Sequence, residues 1–470
     1  MSALAKGASR SVDMTQGNVA GHLVRFAIPL LLGNLFQQLY NTVDLWVVGK
    51  FVSNEAYSAV GTVTPIIIML IGFFMGLASG AGVVISQYYG AKKYDQVQKT
   101  VHTSIVMTLV LGVVLSVAGI LIIPLMLRLM KTDPQAIPEA TVYLTIYFAG
   151  AMGLLLYNMG SGILRAVGDS KRPFYFLVVS ALLNIALDFL FVVGFGMKVE
   201  GVAYATILSQ GVSAALVLGV LARSDDCIRL RWKDLRIDRH ILRQIIRIGI
   251  PSALQMAITS FSNVFVQSYI NFFGLDCMSG WTTYSKLDQF IILPVQSLGL
   301  AATTFVGQNL GISQVERAKK GTRDAFFLSV GITVVISAAA ILFAPQLVAF
   351  FNDKPEVVDY GTLFLRNMCP CYVLICVNQI YSGSLRGAGI SQPPTYIMLV
   401  SFVVFRQIYL YIVANYISNT ILPIAMGYPA GWLVCSILTL IYYNHVDLAG
   451  KRVVDDPTSM PETRKHSQNP

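Results

Sequence analysis

The chain has 470 residues, of which 55% are hydrophobic and 12% charged, and carries a formal net charge of +10. That balance excludes a soluble globule and places the chain among integral membrane proteins. The basic surplus does not mark a nucleic-acid binder, because the lysines and arginines are scattered over short segments between apolar runs.

Residues 1–21 are polar and contain Asp13, and the apolar run that follows has full span length without a small-residue cleavage site. No signal peptide is expected to be removed. A helix needs about 20 apolar residues to cross about 30 Å of hydrocarbon, and runs of that length recur twelve times. In the first half they cover 26–48, 60–84, 103–125, 141–164, 175–197 and 201–222. The second half supplies 248–273, 283–306, 325–350, 360–384, 395–417 and 421–443. The expected fold is all-α and membrane-integral, with twelve transmembrane helices in two pseudo-symmetric six-helix bundles. Its parts are an N-terminal bundle over 1–222, a basic linker over 223–247, a C-terminal bundle over 248–445 and a polar tail over 446–470. Six spans per half is an even number, so both halves insert the same way up and the repeat axis follows the membrane normal.

Cytoplasmic loops retain basic residues, which fixes the orientation. Lys6, Arg10 and Arg25 precede span 1, while Lys92, Lys93, Lys99, Arg165, Lys171 and Arg172 fill the even-numbered loops of the first half. The linker adds Arg223, Arg229, Arg231, Lys233, Arg236, Arg239, Arg243 and Arg247, and Arg317, Lys319, Lys320, Arg323, Lys451 and Arg452 continue on the same side. The other side has only scattered bases such as Lys50, Arg128, Lys131, Lys198 and Lys354. Both termini are therefore expected in the cytoplasm. Ile228, Leu230, Trp232, Leu235 and Ile237 alternate with the linker bases, so the linker is expected to lie against the inner headgroups.

The two halves repeat each other. QYYGAKKYDQVQK from Gln87 aligns with QNLGISQVERAKK from Gln308, and LRAVGDSKRP from Leu164 with LRGAGISQPP from Leu385, both 221 residues apart. Ile28-Pro29 and Asn41 recur 222 residues later as Ile250-Pro251 and Asn263. A duplicated six-helix unit follows. Asp44 and Asp188 of the first copy face Val266 and Tyr409 in the second, so their chemistry belongs to one half.

Catalytic constellations are absent from the sequence. GxxxxGK[ST] does not occur, and His22, His102, His240, His445 and His466 sit at span ends or outside the spans, which argues against an enzyme. Three acids remain within or at the edge of spans: Asp44, Asp188 and Asp288. An ionisable residue in a span is expensive and therefore a functional candidate. Asp44 lies about 9 Å and Asp188 about 15 Å inside the outer boundary, counting residues to Lys50 and Lys198. Asn184 precedes Asp188 by one turn, and Thr206 returns to a similar depth on span 6. Two carboxylates, an amide oxygen and a hydroxyl suit Na⁺, and a close carboxylate pair equally suits a proton. Asn184 and Thr206 taken singly would also serve helix–helix contacts. In the second half Asp288 follows Lys286, which fits an interfacial pair; its other reading is a C-lobe ion pair with Arg406, the one base deep in a span.

The strings YNTVDLWVVGKF in span 1 and NIALDFLFVVGFGMKVEG in span 5, with the duplicated Q-x-x-G and LR-x-x-G loops, resemble the multidrug and toxic compound extrusion (MATE) family. The likeness covers residues 20–445 and is strongest with the prokaryotic DinF-like branch. It implies two six-helix bundles around a central cleft, and export of drugs, toxic organic cations or metabolites in exchange for H⁺ or Na⁺. In that branch the coupling cation site falls on Asp44, Asn184, Asp188 and Thr206, and cavity-lining residues fall on Gln37, Tyr40, Tyr143 and Asn158. Other branches use acids in spans 7 and 10, where this chain has only polar residues such as Gln255 and Asn378. The resemblance further implies no cofactor beyond the coupling ion, and an amphiphilic or cationic small-molecule substrate. It implies a monomer among the lipids of a bacterial plasma membrane. A lipid-linked oligosaccharide flippase shares the duplicated plan, but it needs a basic cavity to hold a pyrophosphate.

Overall fold

The computed structural model describes residues 12–52, 54–129, 132, 134, 136–224, 227–417, 419–448, 450 and 452–455. Lys6, Arg10, Lys131, Lys451 and most of the expected tail lie outside the described residues. Apolar runs become helices here because a span must satisfy its backbone internally. The first half gives α1 (Val19–Phe51), α2 (Asn54–Gly90), α3 (Tyr94–Leu129), α4 (Ile137–Ala166), α5 (Lys171–Asp188) and α6 (Val199–Arg223). A π-helical segment, Phe189–Gly194, prolongs α5.

The second half opens with α7 (Arg239–Asn271), α8 (Leu275–Gly311) and α9 (Val315–Leu342), and is then more broken. The short α10 (Ala344–Ala349) begins next to Pro345, and span 10 divides into α11 (Pro355–Met368) and α12 (Tyr372–Gly387) at the 3₁₀ turn Cys369–Cys371. Pro370 inside that turn has no N–H to donate, which interrupts the α-helical ladder. Span 11 alternates α13 (Gln392–Met398), a π segment (Leu399–Phe405), α14 (Arg406–Ile412) and a second π segment (Val413–Ile417). Span 12 is α15 (Ile421–Ala425) and α16 (Gly427–His445). Among the described residues, eleven helical stretches are long and apolar enough to cross a membrane. The twelfth expected span, α7, has 33 residues, but three arginines in its first nine and later Ser, Thr, Gln and Asn make it less apolar.

Two compact units emerge. Unit 1 comprises Met1–Asp13 and Pro29–Gly249, and unit 2 comprises Met14–Ile28 and Ile250–Pro470. These differ from the expected 1–222 and 248–445 at both helix starts: α1 changes unit at Ile28–Pro29, and α7 at Gly249–Ile250. In unit 1 the tip of α7 docks on α2, where Tyr88 Oη donates to Gln244 Oε1 (3.1 Å). A Cβ on Gly80 would stand 2.6 Å from the Gly249 nitrogen, so this crossing needs glycine. In unit 2 the tip of α1 buries Leu23, Phe26 and Ala27. Ahead of it, Met14 N donates to Gln308 Oε1 (3.0 Å) and Arg317 Nη2 donates to Gly17 O (2.9 Å).

The linker packs on α3 more than the sequence suggests. Ile228 and Leu230 are buried, Arg231 N donates to His102 Nε2 (3.1 Å), and Asp238 N donates to Thr103 Oγ1 (3.1 Å). Trp232 and Ile237 remain exposed, as a surface-lying segment would have them.

Candidate functional site

Three helices of unit 1 bring the sequence candidates together. α1 and α5 run in parallel, with Gly33 against Leu177, the Phe36 and Phe174 rings 6.1 Å apart, and Trp46 and Phe189 6.4 Å apart. That register sets Asp44 level with the last turn of α5. α6 runs antiparallel to α5 and is tied to it where Ser180 Oγ donates to Ser209 O (2.8 Å). Counting outward from that bond puts Asn184 opposite Thr206, one turn inside Asp188. On the far side, glycines of α4 admit α6 closely: a Cβ on Gly150 would lie 2.4 Å from Ile207 Cβ.

The carboxyl groups of Asp44 and Asp188 come within hydrogen-bond reach of one another. Asp188 is fully buried and Asp44 nearly so. Both oxygens of Asp188, Oδ1 of Asp44, and both polar atoms of Asn184 are buried without a hydrogen-bond partner. Thr206 is buried too, and its hydroxyl donates to Val202 O (2.9 Å), leaving only lone pairs to offer. Two carboxylates have no donor between them, so a proton or a cation must supply the missing positive charge. Asp188 is also the last residue before the π segment, a distortion frequent at functional sites.

Beneath this cluster unit 1 has a partly open cavity lined by α1, α2, α4, α5 and α6. Gln37, Tyr40 and Asn158 line it, as expected. Tyr143 does not: it is buried in the apolar core, stacked on Tyr147 at 6.2 Å, within electrostatic reach of both acids. Sequence reasoning missed Asn34, Tyr157, Arg165, Gln210 and Ser213, which also face the cavity. The i, i+3 spacings Asn34/Gln37 and Gln210/Ser213 were the available signal for a polar face.

The MatE family model matches twice, over residues 29–190 and 251–412. The chain belongs to the MatE family. The second match begins 222 residues after the first, the spacing of the repeated Ile-Pro pair. This MATE protein is 31% identical over 432 residues to a probable multidrug resistance protein, YoeA, of Bacillus subtilis, covering 90% of this chain and 92% of that one. YpnP of the same organism, also a probable multidrug resistance protein, is 29% identical over 441 residues, covering 93% and 97%. Among solved structures, a MOP superfamily transporter from Pyrococcus furiosus aligns with TM-score 0.87 at 26% identity, covering 92% of this chain and 97% of that one. An outward-facing multidrug resistance MATE transporter aligns with the same TM-score, identity and coverage. The MATE protein is therefore a membrane transporter and not an enzyme.

Unit 2 of the MATE protein builds neither the interfacial Lys286–Asp288 pair nor the alternative Asp288–Arg406 ion pair. Asp288 Oδ1 accepts from Tyr284 Oη (3.4 Å) and from Tyr372 Oη, while the neighbouring Lys286 lies over the Phe351 ring, 5.8 Å from its centre. Arg406 is buried elsewhere. Its Nη1 donates to Ser262 Oγ (3.1 Å) and Asn263 Oδ1 (3.2 Å), and its Cζ lies 4.7 Å and 4.6 Å from the Phe402 and Tyr428 ring centres. Two phenols therefore stabilise the acid, and two ring faces with two oxygens stabilise the base. Gln255 and Asn378 are spent on helix contacts, donating to Thr395 Oγ1 (3.1 Å) and Trp432 O (3.3 Å).

Proposed function

We propose that the protein is a secondary antiporter of the DinF-like branch that exports amphiphilic or cationic drugs or metabolites against H⁺ or Na⁺. Asp44, Asn184, Asp188 and Thr206 hold the coupling ion, and the unit 1 cavity holds the substrate. The reading is carried by the paired, buried carboxyl groups whose oxygens have no donor. Such a pair binds one proton or one Na⁺ and has a different free energy with and without it. An ion that favours one conformation over the other is all that coupling requires. One charge moving inward across 100 mV supplies about 2.3 kcal/mol, enough for a substrate gradient of roughly 40-fold. Both termini face the cytoplasm in this reading, as the basic loops direct.

Proteoliposomes with an imposed pH step and, separately, an imposed Na⁺ step provide the test. Dye or drug movement should follow at least one of them. Downhill leakage unaffected by either gradient overturns the antiport reading.

A further inference from the structure

Arg165 ends α4 in the LRAVGD loop, and its side chain lines the unit 1 cavity beside Tyr157. It takes part in none of the ion pairs among the described residues, and its guanidinium has no hydrogen bond there. The one acid its own loop supplies is already committed. Asp169 Oδ2 pairs with Arg172 Nε at 3.1 Å, and Asp169 Oδ1 accepts from Lys171 N (3.2 Å) and Arg172 N (3.1 Å). Tyr157 cannot neutralise Arg165 either, since its hydroxyl donates to Pro173 O (3.0 Å). A half-buried guanidinium facing a cavity with all five donors unspent is an unusual arrangement, because buried charges are normally paired.

The cavity runs along α1 from Pro29 to Tyr40, about 16 Å at helical rise. Arg165 and Pro173 mark its inner end, and Tyr40, within electrostatic reach of Asp44, marks its deep end. Between them the walls alternate apolar groups, such as Leu30, Phe174 and Leu177, with neutral donors and acceptors, such as Asn34, Asn158 and Gln210. From this geometry we infer that the cavity takes an amphiphile bearing an anionic carboxylate or phosphate, which Arg165 binds at the inner end. Guanidinium matches either oxyanion in a bidentate fork, so Arg165 selects for negative charge and for a pair of oxygens it can hold at once. A neutral or positive body then occupies the mixed wall and the acidic end. The inference rests on the cavity being the substrate site, as proposed above, and makes the preferred substrate a zwitterion or an anionic amphiphile.

The probe is a xanthene dye prepared as its free carboxylate and as its ethyl ester, two molecules with one ring system that differ by one negative charge and a small alkyl group. Binding to the full-length protein in phosphatidylcholine nanodiscs is read by fluorescence polarisation. The carboxylate should bind about tenfold more tightly than the ester, the value of one charge-assisted hydrogen bond. Arg165→Gln should erase that preference by bringing carboxylate affinity down to that of the ester, and Arg165→Lys should keep part of it. Adding phosphatidylglycerol distinguishes the source of the anion: competitive loss of the carboxylate dye assigns the inner end to lipid phosphate, and no change assigns it to a free solute. Equal wild-type affinity for the two dyes overturns the inference, and so does an Arg165→Gln protein that weakens both equally. The wild-type comparison decides even if the variants fail to fold. Carboxylate preference without ion-driven transport would uphold this inference and sink the antiport reading; ion-driven transport without preference would do the reverse.

Discussion

At the scale of single residues, the acid pair and its neutral neighbours have separable roles. Asp44→Asn and Asp188→Asn each remove a titratable oxygen without changing side-chain size, so each should abolish ion-driven efflux while membrane insertion and thermal stability persist. Proteoliposome flux at matched protein content checks this, and normal flux in either variant would remove that residue from the site. Asn184→Ala deletes an amide whose two polar atoms have no other partner. It should raise the ion concentration for half-maximal transport roughly threefold to tenfold, with a smaller change in maximal rate. An ion titration that does not shift would leave the acids without their amide ligand. These acids were legible because a charge inside an apolar run has few explanations. Arg165 was not, since a base at the end of a span looks the same in sequence whether it faces headgroups, as a topology signal, or turns into a cavity.

At the scale of helices, the repeat places different chemistry at matching crossings. Span 1 meets span 5 across Asp44 and Asp188, whereas span 7 meets span 11 across Arg406, Ser262 and Asn263. Unit 2 thus carries a covalently attached cation where unit 1 carries an acid pair. The Arg406 nest is tight: a Cβ on Gly431 would lie 2.9 Å from its Nε. Gly431→Ala should therefore cost about 1–3 kcal/mol in stability, read from thermal unfolding in detergent. Because Asp288 and Arg406 have separate partners, the unfolding effects of Asp288→Asn and Arg406→Gln should add within about 0.5 kcal/mol in the double variant. Strong non-additivity would restore the ion pair. Helix existence followed from the apolar runs, but the π segments and the 3₁₀ turn at Cys369–Cys371 did not, because they shift backbone bonding without altering the hydrophobic pattern.

For the whole molecule, the exchange of helix starts governs how the halves depend on one another. Unit 1 is completed by Arg239–Gly249 and unit 2 by Met14–Ile28. A chain cut between 238 and 239 should be inactive as either fragment alone and recover transport when both are co-expressed, since each fragment lacks a tip that the other carries. Activity from the first fragment alone would show that the exchanged tips are dispensable. The same exchange has a cost in time during synthesis. The tip of α1 docks beside Gln308 and Arg317, which leave the ribosome nearly 290 residues after it does. At about 5–20 residues per second that is a wait of roughly 15–60 s. Through that interval Leu23 and Phe26 have no socket, so the first apolar segment of this chain is among the last to find its place and the one most in need of shelter by the insertion machinery.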